Sequence, residues 1–139
     1  MATFNKFNSF VEALAEKTHN LSSDTLKLML TNTAPVATNT VKANITEISA
    51  GNGYSAGGAT MTVSSSAQTS GTYKLVVDDV TFTASGGSVG PFRYFVGYND
   101  TAANDELIFW YDYGSSVTLA NGESITADFS ATNGVIQIS

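Results

Sequence analysis

Two aromatic runs between Phe92 and Tyr113 constrain this chain more than any other feature. The first reads F-R-Y-F-V-G-Y, the second L-I-F-W-Y-D-Y, and the polar stretch N-D-T-A-A-N-D-E joins them. Together they hold a large share of the aromatic residues and the only tryptophan. Phe92, Tyr94, Val96 and Tyr98 fall on one face at period two, and Leu107, Phe109, Tyr111 and Tyr113 do the same. Ile108 and Trp110 make the other face of the second run apolar too. Alternation with aromatic enrichment predicts a pair of β-strands. Apolar side chains on both faces place that pair in the middle of a sheet or against a partner chain. The connection, residues 99–106, carries three acids and no large apolar group, so it reads as a solvated loop.

The chain of 139 residues is long enough for one domain, residues 1–139, with a core that needs neither disulfide nor metal. An apolar content of 42% with 13% charged residues and 12 glycines suits a globular β protein rather than a disordered one. Net charge is −6. The six basic residues Lys6, Lys17, Lys27, Lys42, Lys74 and Arg93 are scattered, which argues against nucleic acid as a partner. Absence of cysteine removes disulfides, thiol catalysis and cysteine metal sites together. No apolar run is long enough for a membrane span and no basic-then-apolar leader is visible, so the expectation is a soluble domain made in the cytoplasm.

Taken in order, Phe4, Phe7, Phe10, Val11 and Leu14 recur three and four apart, which predicts one face of a helix from about residue 5 to 17. Residues 1–20 then form an N-terminal helix or arm. It either caps the chain's own β core or docks on a neighbouring subunit. Leu26, Leu28 and Leu30 alternate with Thr25, Lys27, Met29 and Thr31 as a strand, and Pro35 lies in the loop that follows. Val41, Ile45 and Ile48 suggest one short helical turn. The stretch A-G-N-G-Y-S-A-G-G at residues 50–58 sets Gly51, Gly53, Gly57 and Gly58 around Tyr54. It lacks the phosphate-loop pattern and reads as a structural turn in which Tyr54 packs down. Residues 59–63 form a strand, and 64–71 a loop or exposed edge. The alternation slips at Asp78-Asp79, where a bend keeps both halves facing the core and leaves the acids outside. Asn121-Gly122 is a hairpin-type turn, repeated by Asn133-Gly134 before a last short strand. The sum is about eight strands and one N-terminal helix, which predicts a mainly β domain of sandwich or barrel-like form.

Chemistry is sparse. His19 is the only histidine, and no G-x-S-x-G or cysteine accompanies it, so neither a nucleophilic triad nor a zinc site is expected. Asp78, Asp79, Asp112 and Asp128 are carboxylates of the type glycosidases use, but alternation points them to solvent. Asp100, Asp105 and Glu106 lack calcium-loop spacing. The N-x-[ST] patterns at Asn20, Asn44 and Asn99 read as accidental without a leader. Tyr98 and Tyr113 are candidates for stacking on sugar rings. No catalytic residue, metal ligand or cofactor is expected.

Several segments in series carry a family resemblance: an N-terminal F-x-x-F-x-x-F/V helix, D-T-L-K-L-M-L-T-N-T-A-P (24–35), T-V-K-A-N-I-T-E-I (40–48), G-Y-S-A-G-G (53–58), V-D-D-V-T-F (77–82), F-V-G-Y-N-D (95–100), Y-D-Y-G (111–114) and A-N-G-E (120–123). The most specific are G-Y-S-A-G-G and Y-D-Y-G followed by N-G. In this order, over almost the whole chain, they resemble a family of small tailed-bacteriophage virion proteins encoded among head and structural genes. The resemblance implies a non-enzymatic virion component, first of all a capsid decoration (cement) protein on the outside of the head. It further implies the major capsid protein as partner, a trimer first and a dimer second, synthesis in the host cytoplasm, and capsid gripping through residues 2–10 and nearby loops. The alternative is a tail or fibre module that binds host glycans. A wall-degrading hydrolase using Asp112 or Asp128 ranks below both.

Overall fold

The computed structural model describes residues 2–139. The described residues form ten strands and one α-helix, so the chain is mainly β. In chain order these are β1 (Thr3–Lys6), α1 (Ser9–Ala15), β2 (Leu26–Thr31), β3 (Ala59–Met61), β4 (Val63–Thr69), β5 (Thr72–Val77), β6 (Val80–Thr83), β7 (Val89–Asn99), β8 (Leu107–Leu119), β9 (Ser124–Ala127) and β10 (Ile136–Ile138). They make a five-stranded sheet ordered β1-β8-β7-β2-β3, a three-stranded sheet β10-β5-β4 and the pair β6-β9. All neighbours are antiparallel. Two strands exceed the expected eight. One is β1, which the spacing assigns to a helix; the other is β4, the stretch read as a loop or edge.

The aromatic pair is central, as its two apolar faces require. β7 and β8 lie inside the five-stranded sheet, and each face has its own core. One core joins this sheet to the two smaller ones through residues such as Leu28, Phe95, Phe109, Leu75 and Phe82. The other packs Phe7, Met29, Tyr94, Val96, Tyr98, Leu107 and Trp110 beneath Ala37 and Ile45 of the β2–β3 connection. The simple period-two reading does not survive in detail. Phe92 and Phe95 face the first core, while Tyr94, Val96 and Tyr98 face the second. The register shifts between Phe92 and Tyr94. It shifts again where Gly97 faces Phe109 and Tyr98 faces Leu107, which leaves Ile108 as the extra residue. A bulge adds one residue and so exchanges the faces beyond it. Leu107 therefore joins Trp110 rather than Phe109.

The N-terminal reading needs the larger correction. Phe4 lies on β1, opposite Tyr111 of β8, and the helix begins only at Ser9. Pairing with β8 satisfies the backbone of a segment whose first turn is poor in helix formers. The link between β1 and α1 stays tied down, because Phe7 N–H donates to the Ile108 carbonyl at 3.2 Å and Asn8 N–H to Ala37 at 2.9 Å. Phe4, Phe7, Phe10, Val11 and Leu14 thus share no helical face. Phe7 is fully buried against Trp110 in the second core, whereas Phe10 is buried in the first and Leu14 packs at its margin. Residues 2–14 are therefore not a detachable arm, because removing them would open both cores. The helix has seven residues, too few to persist without that packing.

Other local expectations meet the structure more closely. Lys42–Asn44 is a single 3-10 turn. β5 ends at Val77 and β6 begins at Val80 in another sheet, with Asp78 and Asp79 exposed between them. Asn121-Gly122 is a turn, with Gly122 at φ +89°, but not a hairpin. β9 pairs with β6 instead of β8, and the turn is held from the β6–β7 connection: Asn121 Oδ1 accepts Gly86 N–H at 2.9 Å, and Gly122 N–H donates to the Ala84 carbonyl at 2.7 Å.

Candidate functional site: an apolar groove beside the edge strand

Strand β1 and strand β10 each end a sheet, and α1 packs on β8. Between them lies a groove of about 630 Å³ lined by Phe4, Phe10, Val11, Leu14, Ile136 and Ile138, with Lys6 as its one charged side chain. Phe4 is 41%, Val11 54% and Ile138 41% exposed. Apolar side chains scattered singly over a surface need no explanation, but a contiguous set does. Phe4 is held in place while exposed: its ring stacks on Phe109 at 5.7 Å and meets Tyr111 edge-on at 5.3 Å. Such fixed aromatic geometry lowers the ordering cost of a contact.

A second hollow of about 290 Å³ is lined by Ala2, Tyr111, Tyr113, Ile125 and Phe129, with Asp128 at its edge. Tyr113 is 42% exposed there. Four of the five large apolar or aromatic side chains most exposed among the described residues therefore sit at these two hollows, Val36 being the fifth. Burial pushes the Tyr111 hydroxyl above its ordinary pKa. Tyr98, the other sugar-stacking candidate, is fully buried and cannot stack on a ligand.

The glycine turn does a different job. Tyr54 is buried, and its hydroxyl donates to Glu47 Oε2 at 2.8 Å while accepting Leu30 N–H at 3.0 Å. The same Glu47 carboxylate accepts Gly57 N–H, and Tyr98 O–H donates to the Gly57 carbonyl at 2.6 Å. Burial raises both tyrosine pKa values well above the ordinary range, so both hydroxyls stay protonated as donors. Gly53 and Gly58 have positive φ, and a Cβ at either would collide with backbone, the Thr83 carbonyl at Gly53 and the Leu28 carbonyl at Gly58. Lys42 Nζ lies 5.4 Å from the Tyr98 ring centroid.

The acids are dispersed. Asp112 forms a bidentate pair with Arg93, at 2.7 and 3.0 Å, and also accepts Gly114 N–H. The Arg93 hydrogen bonds hold its carboxyl below the usual range against a smaller desolvation cost. Asp79 accepts Phe129 N–H. No group of three or more metal-ligating side chains occurs among the described residues. No helix among them is long and apolar enough to cross a membrane.

Of the residues that the sequence singles out, the structure brings Phe4, Phe10, Val11 and Leu14 to the groove and sends Phe7 into the opposite core. Sequence reasoning missed Ile136 and Ile138. Their alternation marks a strand, but only the pairing of β10 with β5 places that strand beside α1. No protein-family model, curated protein or solved structure matches the chain.

Proposed function

We propose that this chain is a non-enzymatic structural protein of a tailed-bacteriophage virion, a decoration (cement) protein that binds the outer surface of the head and stabilises it. The observation that carries the reading is the groove at β1, α1 and β10, where exposed apolar side chains gather around one nearly uncharged surface. The family resemblance supplies the partner, the major capsid protein, and the location on the virion after synthesis in the host cytoplasm. Contact sites of this kind take their strength from a few fixed apolar anchors, and Phe4 is such an anchor. Many copies, each covering a modest area, stiffen a shell by multivalent attachment. Assembly as a trimer, or next as a dimer, belongs to the same proposal.

The test is co-sedimentation with shells of the major capsid protein. F4S and V11D alter exposed positions and should leave the fold intact. Each is expected to lose capsid binding. Undiminished binding of both would remove the groove from the contact.

A second reading, a tail or fibre module for host glycans, draws on the hollow lined by Tyr111 and Tyr113 together with Asp128. It predicts sugar affinity that Tyr113→Ala abolishes. Silence on a glycan array together with capsid binding excludes it.

A further inference from the structure

His19 is 5% exposed, and its ring packs on Phe10 of α1 with centroids 5.5 Å apart. It belongs to a polar cluster that the docking surface does not use. Asn99, fully buried at the end of β7, accepts the backbone N–H of Thr101 at 2.9 Å and of Ala102 at 3.2 Å through Oδ1. Those two donors fix the orientation of its amide. Nδ2 must then point the other way, where it donates to Asp24 Oδ2 at 2.7 Å and meets His19 Nδ1 at 2.9 Å. His19 Nδ1 is therefore an acceptor, and the proton of the neutral ring sits on Nε2. That nitrogen is buried with no partner. An imidazolium carries N–H on both nitrogens, so charging the ring would set Nδ1–H against Nδ2–H. Asn99 cannot turn over to relieve this without abandoning Thr101 and Ala102.

We propose that His19 and Asn99 form an acid-released latch that holds α1, and with it one wall of the apolar groove, to the loop between β7 and β8. Other charged groups bear on the ring from each neighbouring element. Asp24, in the turn before β2, and Glu106, in the β7–β8 loop, favour the charged form. Lys17 and Tyr73 line the hollow beside His19, and the Tyr73 hydroxyl is engaged by Ser66 Oγ at 2.8 Å. Burial outweighs the two acids and holds the His19 pKa below its ordinary value. Between the folded and the ordinary value, about 6.5, the closed state binds fewer protons than the opened one. Its stability is thus full above the ordinary value and falls as pH drops through the folded one. Acid weakening of capsid docking would follow only on the function proposed above; the latch stands without it.

The experiment uses the free full chain, which separates the two claims. His19 is the only histidine, so its ring nitrogens give a single pair of NMR signals. The expected result is an Nε2–H tautomer at neutral pH that titrates below about 6.5. As His19 charges, hydrogen-exchange protection of the Glu16 and Thr18 amides, bonded to the Glu12 and Ala13 carbonyls, should fall while the centre of β7 stays protected. The fall should be about tenfold for each pH unit separating the folded and ordinary values. In H19N, where the amide oxygen keeps an acceptor near the Nδ1 position without titrating, that protection should be flat over the same range. An Nδ1–H tautomer, titration at or above the ordinary value, or the same acid loss in H19N would overturn the latch. Should H19N not fold, the tautomer and titration of the unsubstituted chain decide alone.

Discussion

The hydroxyl of Tyr54 stands 3.0 Å from the backbone nitrogen of Leu30 and takes the place of a strand that has ended. β3 pairs with β2 only through Leu26, Lys27 and Leu28, so Leu30 N–H has no backbone acceptor on that side. The side chain of one tyrosine thus completes the ladder of a neighbouring strand, and Glu47 completes the tyrosine. Replacing Tyr54 by Phe keeps the ring but strands a buried N–H and removes a donor from Glu47. Urea unfolding should show a loss of about 1–3 kcal/mol, the cost of an unsatisfied buried polar group. A loss near zero would mean that water or a shift of Glu47 fills the gap.

Gly58 and Gly122 share a positive φ but differ in surroundings. A Cβ on Gly58 meets the Leu28 carbonyl, whereas one on Gly122 meets open space. Gly122→Ala should cost about 1–2 kcal/mol, the strain of a left-handed L-residue alone. Gly58→Ala adds a collision with backbone that has to separate β2 from the turn, so its cost must be clearly larger. Equal costs in thermal unfolding would contradict the close approach.

Phe4 and Phe7 are three residues apart and have opposite fates. Phe7→Ala empties a fully buried site and should cost about 3–5 kcal/mol. Phe4→Ala removes a half-exposed ring with two aromatic neighbours and should cost clearly less than Phe7→Ala. On the proposed function, Phe4→Ala abolishes docking without unfolding the chain. Paired denaturation and binding curves check both.

Asp112 should titrate below the ordinary carboxylate value of about 3.9, because Arg93 and Gly114 donate to its charged form. The sign follows from linkage: the stabilisation is complete above the ordinary value and is lost as pH falls through the lowered one. Arg93→Gln should move the Asp112 titration upward. Carboxyl carbon shifts followed over pH give the answer, and an ordinary value in the unsubstituted chain would break the pair as described.

The sequence made the mainly β class legible because period-two alternation and glycine-marked turns recur along most of the chain. It also made legible the central place of the aromatic pair, since no edge strand needs two apolar faces. It did not reveal which face each ring takes, because one bulge residue such as Ile108 exchanges faces while the composition stays the same. Phe4, Phe7 and Phe10 misled for a related reason. A spacing of three suits a helix, but it also arises where a strand, a link and a helix each set one aromatic in a different environment. The groove was half visible: Phe4, Val11 and Leu14 are local, while Ile136 and Ile138 lie far along the chain and are placed by the pairing of β10 with β5.

The central claim is that the groove at Phe4, Val11 and Ile138 seats this chain on a capsid, and abundance in the particle tests it most directly. Quantitative mass spectrometry of purified virions, referenced to the major capsid protein, measures copies per particle. The account predicts a number comparable to that of the capsid subunits, falling sharply in particles that carry V11D. A handful of copies, or none, would contradict it.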